Sequence, residues 1–206
     1  MLIGLTGKKR SGKDTVYQII NSISSNDPDM IVKRVAFADK VKEAASIILD
    51  ISPAYLELHK DNSNLVIKLE KGDLWLDLSF RNIIQRIGTE VGRDLFGKNF
   101  WIDQVLPLDF DHSNQLVIVT DVRFENEAQR VIDLGGVIWE VQRPDNNYKD
   151  DHSSEAGIGK EYINHIIVNR NSLQNLEREI RIAMYAHTSD LLYKKKTEKL
   201  GIKNAA

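Results

Sequence analysis

The chain contains no cysteine. That excludes disulfide staples and thiolate metal centres, and it fits a reducing compartment. Charge of one sign is not in excess either: 28 Lys and Arg stand against 30 Asp and Glu, a net charge of −2, so the molecule as a whole is not built to grip nucleic acid. No apolar run approaches membrane-spanning length, and no internal repeat is visible. Met1 opens the first apolar stretch, so no cleaved leader is expected. What remains is an ordinary soluble composition, 42% hydrophobic and 28% charged, long enough at 206 residues for one domain with a sizeable core. The expected location is cytoplasmic.

Positive charge, balanced overall, is crowded at one place. Gly7-Lys8-Lys9-Arg10-Ser11-Gly12-Lys13 fits G-x-x-x-x-G-K directly behind the apolar run Leu2–Leu5. Met1–Thr6 reads as a short buried strand. Thr15–Ile23 reads as an amphipathic helix with Val16, Ile19, Ile20 and Ile23 on one face. Glycines let the backbone turn its N–H groups inward, and the helix N-terminus and Lys13 add positive charge. Four cations in so short a loop repel one another unless an anion neutralises them, and a polyphosphate is the natural guest. Asp14 stands where Ser or Thr normally offers a hydroxyl to Mg²⁺. Either it holds the metal, directly or through water, with Thr15 bonding a phosphate, or it caps the helix.

Strands and helices alternate through the rest, which predicts α/β architecture with a largely parallel sheet. Strands are expected at 31–37, 116–121, 137–141 and 163–168. Helices are expected at 39–49, with Val41, Ala44, Ala45 and Ile48 inward, at 79–96, at 100–106 and at 126–134, and a long one capped by Ser172. The stretch 50–78, broken by Pro53 and Asp61–Asn64, gives no clear pattern; Leu65–Leu69 fits a strand or a helix end. Residues 146–160 have the composition of a mobile loop, and the lysine-rich tail at 193–206 is expected to fray.

Ligands of open parallel sheets sit beyond the carboxyl ends of the strands. The loop at 7–15, the turn Ala38-Asp39-Lys40 and Asp121-Val122-Arg123 therefore converge on one edge. Asp121 is a candidate for hydrated Mg²⁺ or for orienting a nucleophile, with a helix cap near Phe124 as the structural alternative. Arg123 can grip a phosphate in a bidentate fork, or pair with Glu125 or Glu127. On the helix at 79–96, Arg81, Gln85, Gly88 and Thr89 share a polar face, while Ile83, Ile84, Ile87, Val91 and Leu95 face the core.

Taken together, the chain resembles the phage deoxynucleoside monophosphate kinases. The match is carried by Lys9-Arg10-Ser11-Gly12-Lys13-Asp14-Thr15, Arg81 with Gln85, Gly88 and Thr89, Trp101 after Phe100, Asp121-Val122-Arg123 with Glu127, Arg143-Pro144, and His152 with Glu155-Ala156-Gly157. The stretch 50–78 matches poorly and is short. The resemblance implies a three-layer α/β/α P-loop kinase fold with a mostly parallel central sheet, and Mg²⁺-dependent transfer of the ATP γ-phosphoryl group to a deoxynucleoside monophosphate. It implies one domain over 1–206 with an acceptor-binding segment at about 40–75 and a lid-like loop at about 145–160. Carried over residue by residue, Arg10, Ser11, Gly12, Lys13, Asp14, Thr15 and Arg143 bind ATP. Lys9, Val41, Lys42, Lys60, Arg81, Gln85, Gly88, Thr89, Trp101, Arg123 and Glu155 hold the acceptor. Lys13, Arg10, Arg123 and Asp121 surround the transfer, and Asp14 and Asp121 are the metal ligands. Kinases of this kind are often homodimers, and neither nucleic acid nor membrane is an expected partner. The competing readings are a kinase of the same architecture acting on a coenzyme precursor, such as dephospho-coenzyme A, and a non-enzymatic nucleotide switch.

Overall fold

The computed structural model describes residues 1–25, 30–62, 64–71, 74–112, 115–146, 157–170 and 172–199. Its centre is a five-stranded sheet built from β1 (Leu2–Thr6), β2 (Ile31–Val35), β5 (Gln115–Val119), β6 (Val137–Gln142) and β7 (His165–Val168), in the order β2-β5-β1-β6-β7. Every neighbouring pair is parallel; Gly4, for example, faces Val119 on one side and Ile138 on the other. Strands β1 and β5 occupy the middle, which is why their sequences are continuous apolar runs rather than alternating ones.

The two-residue alternation along these strands feeds two cores. Ile3, Leu5, Leu116, Ile118, Trp139 and Ile167 point to one face, where Val16 and Ile20 of α1 (Lys13–Ser24) meet Leu176 and Ile180 of α7 (Leu173–Lys199). Leu2, Val117, Val119 and Ile138 point to the other. They pack on Phe37 of α2 (Phe37–Leu49), Ile102 and Leu106 at α5 (Phe100–Val105), and Ala128 and Val131 of α6 (Glu125–Asp133). Helices thus cover both faces, and the three-layer α/β/α expectation holds.

A third cluster lies beside the sheet. Val41 and Ala45 of α2, Leu56 of α3 (Pro53–His59), Phe80 and Ile83 of α4 (Phe80–Arg86), Ile87 and Trp101 enclose it. The hairpin β3 (Val66–Lys71) and β4 (Leu74–Ser79) is antiparallel and forms its own two-stranded sheet. The 50–78 stretch, unreadable in sequence, is therefore a short helix and a hairpin. Ser52 caps α3, accepting from Tyr55 N–H at 3.1 Å, with Pro53 in the first helical turn.

Two expected boundaries move. The second strand stops at Val35 because Ala36 is the extended N-cap of α2, which starts at Phe37 rather than Asp39; Ile48, expected inward, is 63% exposed. The helix expected over 79–96 is α-helical only to Arg86 and continues as a π-helix over Ile87–Leu95. The wider turn changes the phase of the apolar residues. Ile83 and Ile87 stay buried, but Val91 and Leu95 rotate into solvent.

Candidate active site

The loop between β1 and α1 is held in a shape few side chains tolerate. Gly7, Arg10 and Gly12 all have positive φ (131°, 65° and 107°). A Cβ on Gly7 would stand 2.3 Å from the Val141 carbonyl oxygen, and one on Gly12 would stand 2.4 Å from Asn169 Nδ2. The loop carbonyls are engaged one after another. Lys13 Nζ donates to Gly7 O at 2.6 Å and Lys8 O at 3.0 Å, Asn146 Nδ2 to Lys9 O at 2.7 Å, and Asn169 Nδ2 to Ser11 O at 2.8 Å. With its carbonyls so fixed, the turn presents backbone N–H groups and the start of α1 as an anion nest. Asn146 and Asn169 escaped the sequence reading. Each follows the end of a parallel strand, β6 or β7, and that position at the ligand edge of the sheet is the signal that could have found them.

The loop opens onto a cleft of about 370 Å³, a size suited to a small ligand. Its donor-side wall carries Lys9, Arg10, Lys13 and Asp14; its far wall carries Val41, Lys42, Lys60, Arg81, Gln85, Gly88 and Thr89; Trp101, Asp121 and Arg123 complete it. Nine Lys or Arg and six Asp or Glu line this space, so a protein of net charge −2 keeps a local excess of positive charge here. The cations are not loose. Arg34 pairs with Asp39 at 2.6 Å, Glu57 takes Lys42 at 3.0 Å and also Lys60, and Asp61 takes Lys9 at 3.1 Å and also Arg81. Burial alone would raise the Asp61 carboxyl, but Arg81 and Lys9 outweigh it and hold it below its ordinary range; Lys60 and Lys42 do the same to Glu57.

The π-helix shapes the far wall. Trp101 Nε1 donates to the Gly88 carbonyl at 2.9 Å, and its ring lies against Gly92, where an added Cβ would come within 1.9 Å of Nε1. Glycines at 88 and 92 weaken α-helical preference, and the indole wedged between them fixes the wider turn. Gly88 itself is open to the cleft: a Cβ there would meet Val41 Cγ1 at an ordinary 3.5 Å.

Two carboxylates sit at the floor. Asp121 accepts from the N–H groups of Phe37 and Ala38 at 2.9 and 2.8 Å. The cap weighed in the sequence is real but belongs to α2, across the sheet edge, rather than to the helix near Phe124. Burial raises the Asp121 carboxyl against those two N–H bonds and the nearby Arg123. Glu127, 2% exposed, accepts from the backbone N–H of Arg123 at 2.7 Å and of Phe124 at 3.1 Å and pairs with Arg93. Burial and the neighbouring Asp121 push its carboxyl up to about 7, against Arg93 and the two N–H bonds. Arg93 in turn stacks over the Phe124 ring at 3.7 Å. It is the backbone of Arg123, not its guanidinium, that meets Glu127 in this bond.

Most of the expected site residues therefore meet in one cleft. Ser11 is buried within the loop, Gly12 shapes it, and Thr15 is half-buried in α1 away from the cleft lining. Arg143 is exposed just past β6 and does not line the cleft. Glu155 and His152 lie outside the described residues. The capping alternative for Asp14 does not hold: Gly12 is the N-cap of α1, no side chain caps it, and Asp14 is exposed toward the cleft in the first turn. Glu57, Asp61, Arg34 and Arg93 were not anticipated as site residues; for Asp61 and Arg93 the reason is that their partners come from distant parts of the chain. Among the described residues no three His, Cys, Asp or Glu side chains cluster as a metal site, and no helix is long and apolar enough to cross a membrane.

This geometry can be set beside known proteins. Residues 50–180, more than half of the chain, match the family model for deoxynucleotide monophosphate kinase. The deoxynucleoside-5'-monophosphate kinase of Escherichia phage T5 is 28% identical, over 87% of this chain and 94% of that protein. The deoxynucleotide monophosphate kinase of Escherichia phage RB69 is 25% identical, over 87% of this chain and 97% of that protein. A loop shaped for phosphates, a second set of cations across the cleft and these matches agree: the chain belongs to the deoxynucleotide monophosphate kinase family.

Proposed function

We propose that ATP binds with its phosphates on the 7–15 loop, that a deoxynucleoside monophosphate binds against α2, α4 and the π-helix, and that the γ-phosphoryl group passes between them to give ADP and the diphosphate. One observation carries this reading: a second group of cations, Lys42, Lys60 and Arg81, faces the phosphate loop with its Lys9 across one continuous cleft. A nucleotide switch needs no second anion site.

The residues divide the work by charge. Phosphoryl transfer requires in-line placement and neutralised oxygens more than covalent chemistry. Lys13 and Arg10 neutralise the donor phosphates, and Arg123, beside the half-buried Asp121, meets the migrating group. Lys9 and Arg81 cancel the acceptor phosphate's charge so that its oxygen can approach another anion. Gln85, Thr89 and the cleft face of Gly88 receive the sugar and base.

Asp14 and Asp121 suit Mg²⁺, which binds through one or two carboxylates plus substrate phosphates rather than an all-protein cage. Asp14 is exposed to the cleft, and each Asp121 oxygen, having accepted one N–H bond, keeps a lone pair for a hydrated cation. Bound there, the ion would neutralise charge on the β- and γ-phosphate oxygens.

A coupled assay of ADP release tests the proposal, run across the deoxy- and ribonucleoside monophosphates with dephospho-coenzyme A as control. Turnover that depends on dGMP or dTMP is expected. ADP release without an acceptor, or only with dephospho-coenzyme A, would sink it.

A further inference from the structure

The acceptor cations already hold an anion supplied by the protein. Asp61 Oδ1 receives Lys9 Nζ at 3.1 Å and Arg81 Nε at 3.0 Å, with Arg81's terminal nitrogen on the same oxygen. Lys9 belongs to the phosphate loop and Arg81 to the first turn of α4, so this single oxygen marks the point where the two walls of the cleft converge. One helical turn earlier, Glu57 bridges Lys42 and Lys60 in the same manner.

We propose that Asp61 is an internal surrogate for the acceptor phosphate: its carboxylate occupies the phosphate position between Lys9 and Arg81, and an incoming nucleoside monophosphate must displace it. The inference rests on the reading above, in which these two cations hold that phosphate.

The alternative is that Asp61 stays in place and orients the cations, and the scaffolding argues against it. Lys9 is fixed through its own backbone, whose carbonyl accepts from Asn146, and Arg81 is fixed by a helix capped at Ser79. The backbone of each cation is therefore placed without Asp61. Asp61 itself is half-exposed, at 54%, in the turn that follows the seven-residue α3, and is the member best able to move. A ligand that binds only after Asp61 has let go sees its affinity reduced by the fraction of molecules in that state. The occupied state also screens the acceptor cations from bare phosphate and from a misplaced triphosphate. Selectivity for a ligand that brings base and sugar contacts as well as a phosphate follows directly.

The test is calorimetric titration of dGMP, dTMP, inorganic phosphate and deoxythymidine into the full chain, its Asp61→Asn variant and its Arg81→Ala variant, each checked for folding by circular dichroism. Asp61→Asn keeps the shape and removes the competing charge. It should bind the monophosphates and inorganic phosphate about three- to tenfold more tightly, with deoxythymidine unchanged. Arg81→Ala should weaken the monophosphates. If Arg81→Ala weakens them while Asp61→Asn leaves them unchanged or weakens them too, Asp61 is no surrogate and the acceptor site stands. Equal tightening of deoxythymidine would also overturn the proposal, because the effect would not run through phosphate. If Arg81→Ala changes nothing, the acceptor site itself has been misplaced.

Discussion

The two walls of the cleft are built on different principles. The phosphate-loop wall grows from the buried centre of a parallel sheet, and its shape is fixed by backbone: positive-φ residues, carbonyls pinned by two asparagines, and glycines pressed against neighbours. Beyond α2, the opposite wall is made of short pieces, a seven-residue helix, a second seven-residue helix and a π-turn, and its charges are held by side-chain pairs that are largely exposed. Exposed ion pairs contribute little to stability and exchange partners readily. The difference suits the two tasks. A polyphosphate can be gripped by a preformed nest, whereas an acceptor must be admitted, enclosed and released.

The comparison predicts that damage to the first wall removes chemistry and leaves the fold. Lys13→Ala should lower turnover by about 10³-fold or more, because in the proposed reading Lys13 neutralises charge at the migrating group. Its fold should survive, since Lys13 is only partly buried and bonds the loop rather than a core. The coupled assay gives the first quantity and thermal unfolding the second. Normal turnover in a folded variant would refute the assignment.

Damage to the second wall should instead separate packing from binding, and two glycines four residues apart allow the separation. Gly92→Ala would drive a methyl into the Trp101 ring, which is 7% exposed and cannot retreat without disturbing the third core cluster. A loss of about 2–3 kcal/mol in urea unfolding is expected, together with a raised KM for the acceptor. Gly88→Ala meets only ordinary contact with Val41, so stability should change by less than about 1 kcal/mol. The acceptor KM should nevertheless rise if the acceptor binds as proposed, because the methyl projects from a residue that lines the cleft. If both variants lose stability equally, Gly88 is a packed joint and not part of a binding wall.

The walls also differ in how far the sequence reveals them. The loop, β1 and α1 are legible because local rules decide them: a glycine spacing, an apolar run and a helical period. The α/β architecture follows from the same periodicities. The 50–78 stretch is not legible, because α3 is short and its amphipathic face has one fully buried residue, Leu56, while the hairpin is stabilised by pairing that no single segment encodes. The π-turn is hidden for a related reason: its register depends on an indole that arrives from residue 101. Asp61 looks like an ordinary surface carboxylate until the fold sets Lys9 and Arg81, 52 and 20 positions away in sequence, beside it, and Glu57 likewise until Lys42 arrives from α2. Arg143, given to ATP by the resemblance alone, stands exposed just past β6 and outside the cleft lining.

The seam between the walls offers the smallest and most specific effect. Glu127, from α6 on the sheet side, holds Arg93 from the π-turn, so its charge ties one wall to the other. Its carboxyl is raised from an ordinary 4.5 to about 7. The native state therefore binds a proton more readily than the unfolded state between those values. Stability from this group is fully present below pH 4.5 and is lost as pH rises through about 7. The full interval corresponds to about 3 kcal/mol. Glu57 and Asp61, whose carboxyls are lowered, act at more acid pH and with the opposite sign; Asp121, raised by burial, shares the sign of Glu127, so a Glu127 variant is what isolates this group. Glu127→Gln keeps an acceptor for the Arg123 and Phe124 N–H groups but cannot ionise. Its stability, measured by urea unfolding from pH 5 to 8, should fall less steeply than that of the unaltered chain, by about 2 kcal/mol across the range. Parallel slopes in the two proteins would mean that Arg93 keeps Glu127 ionised throughout, and the seam would then be a permanent ion pair rather than a titrating one.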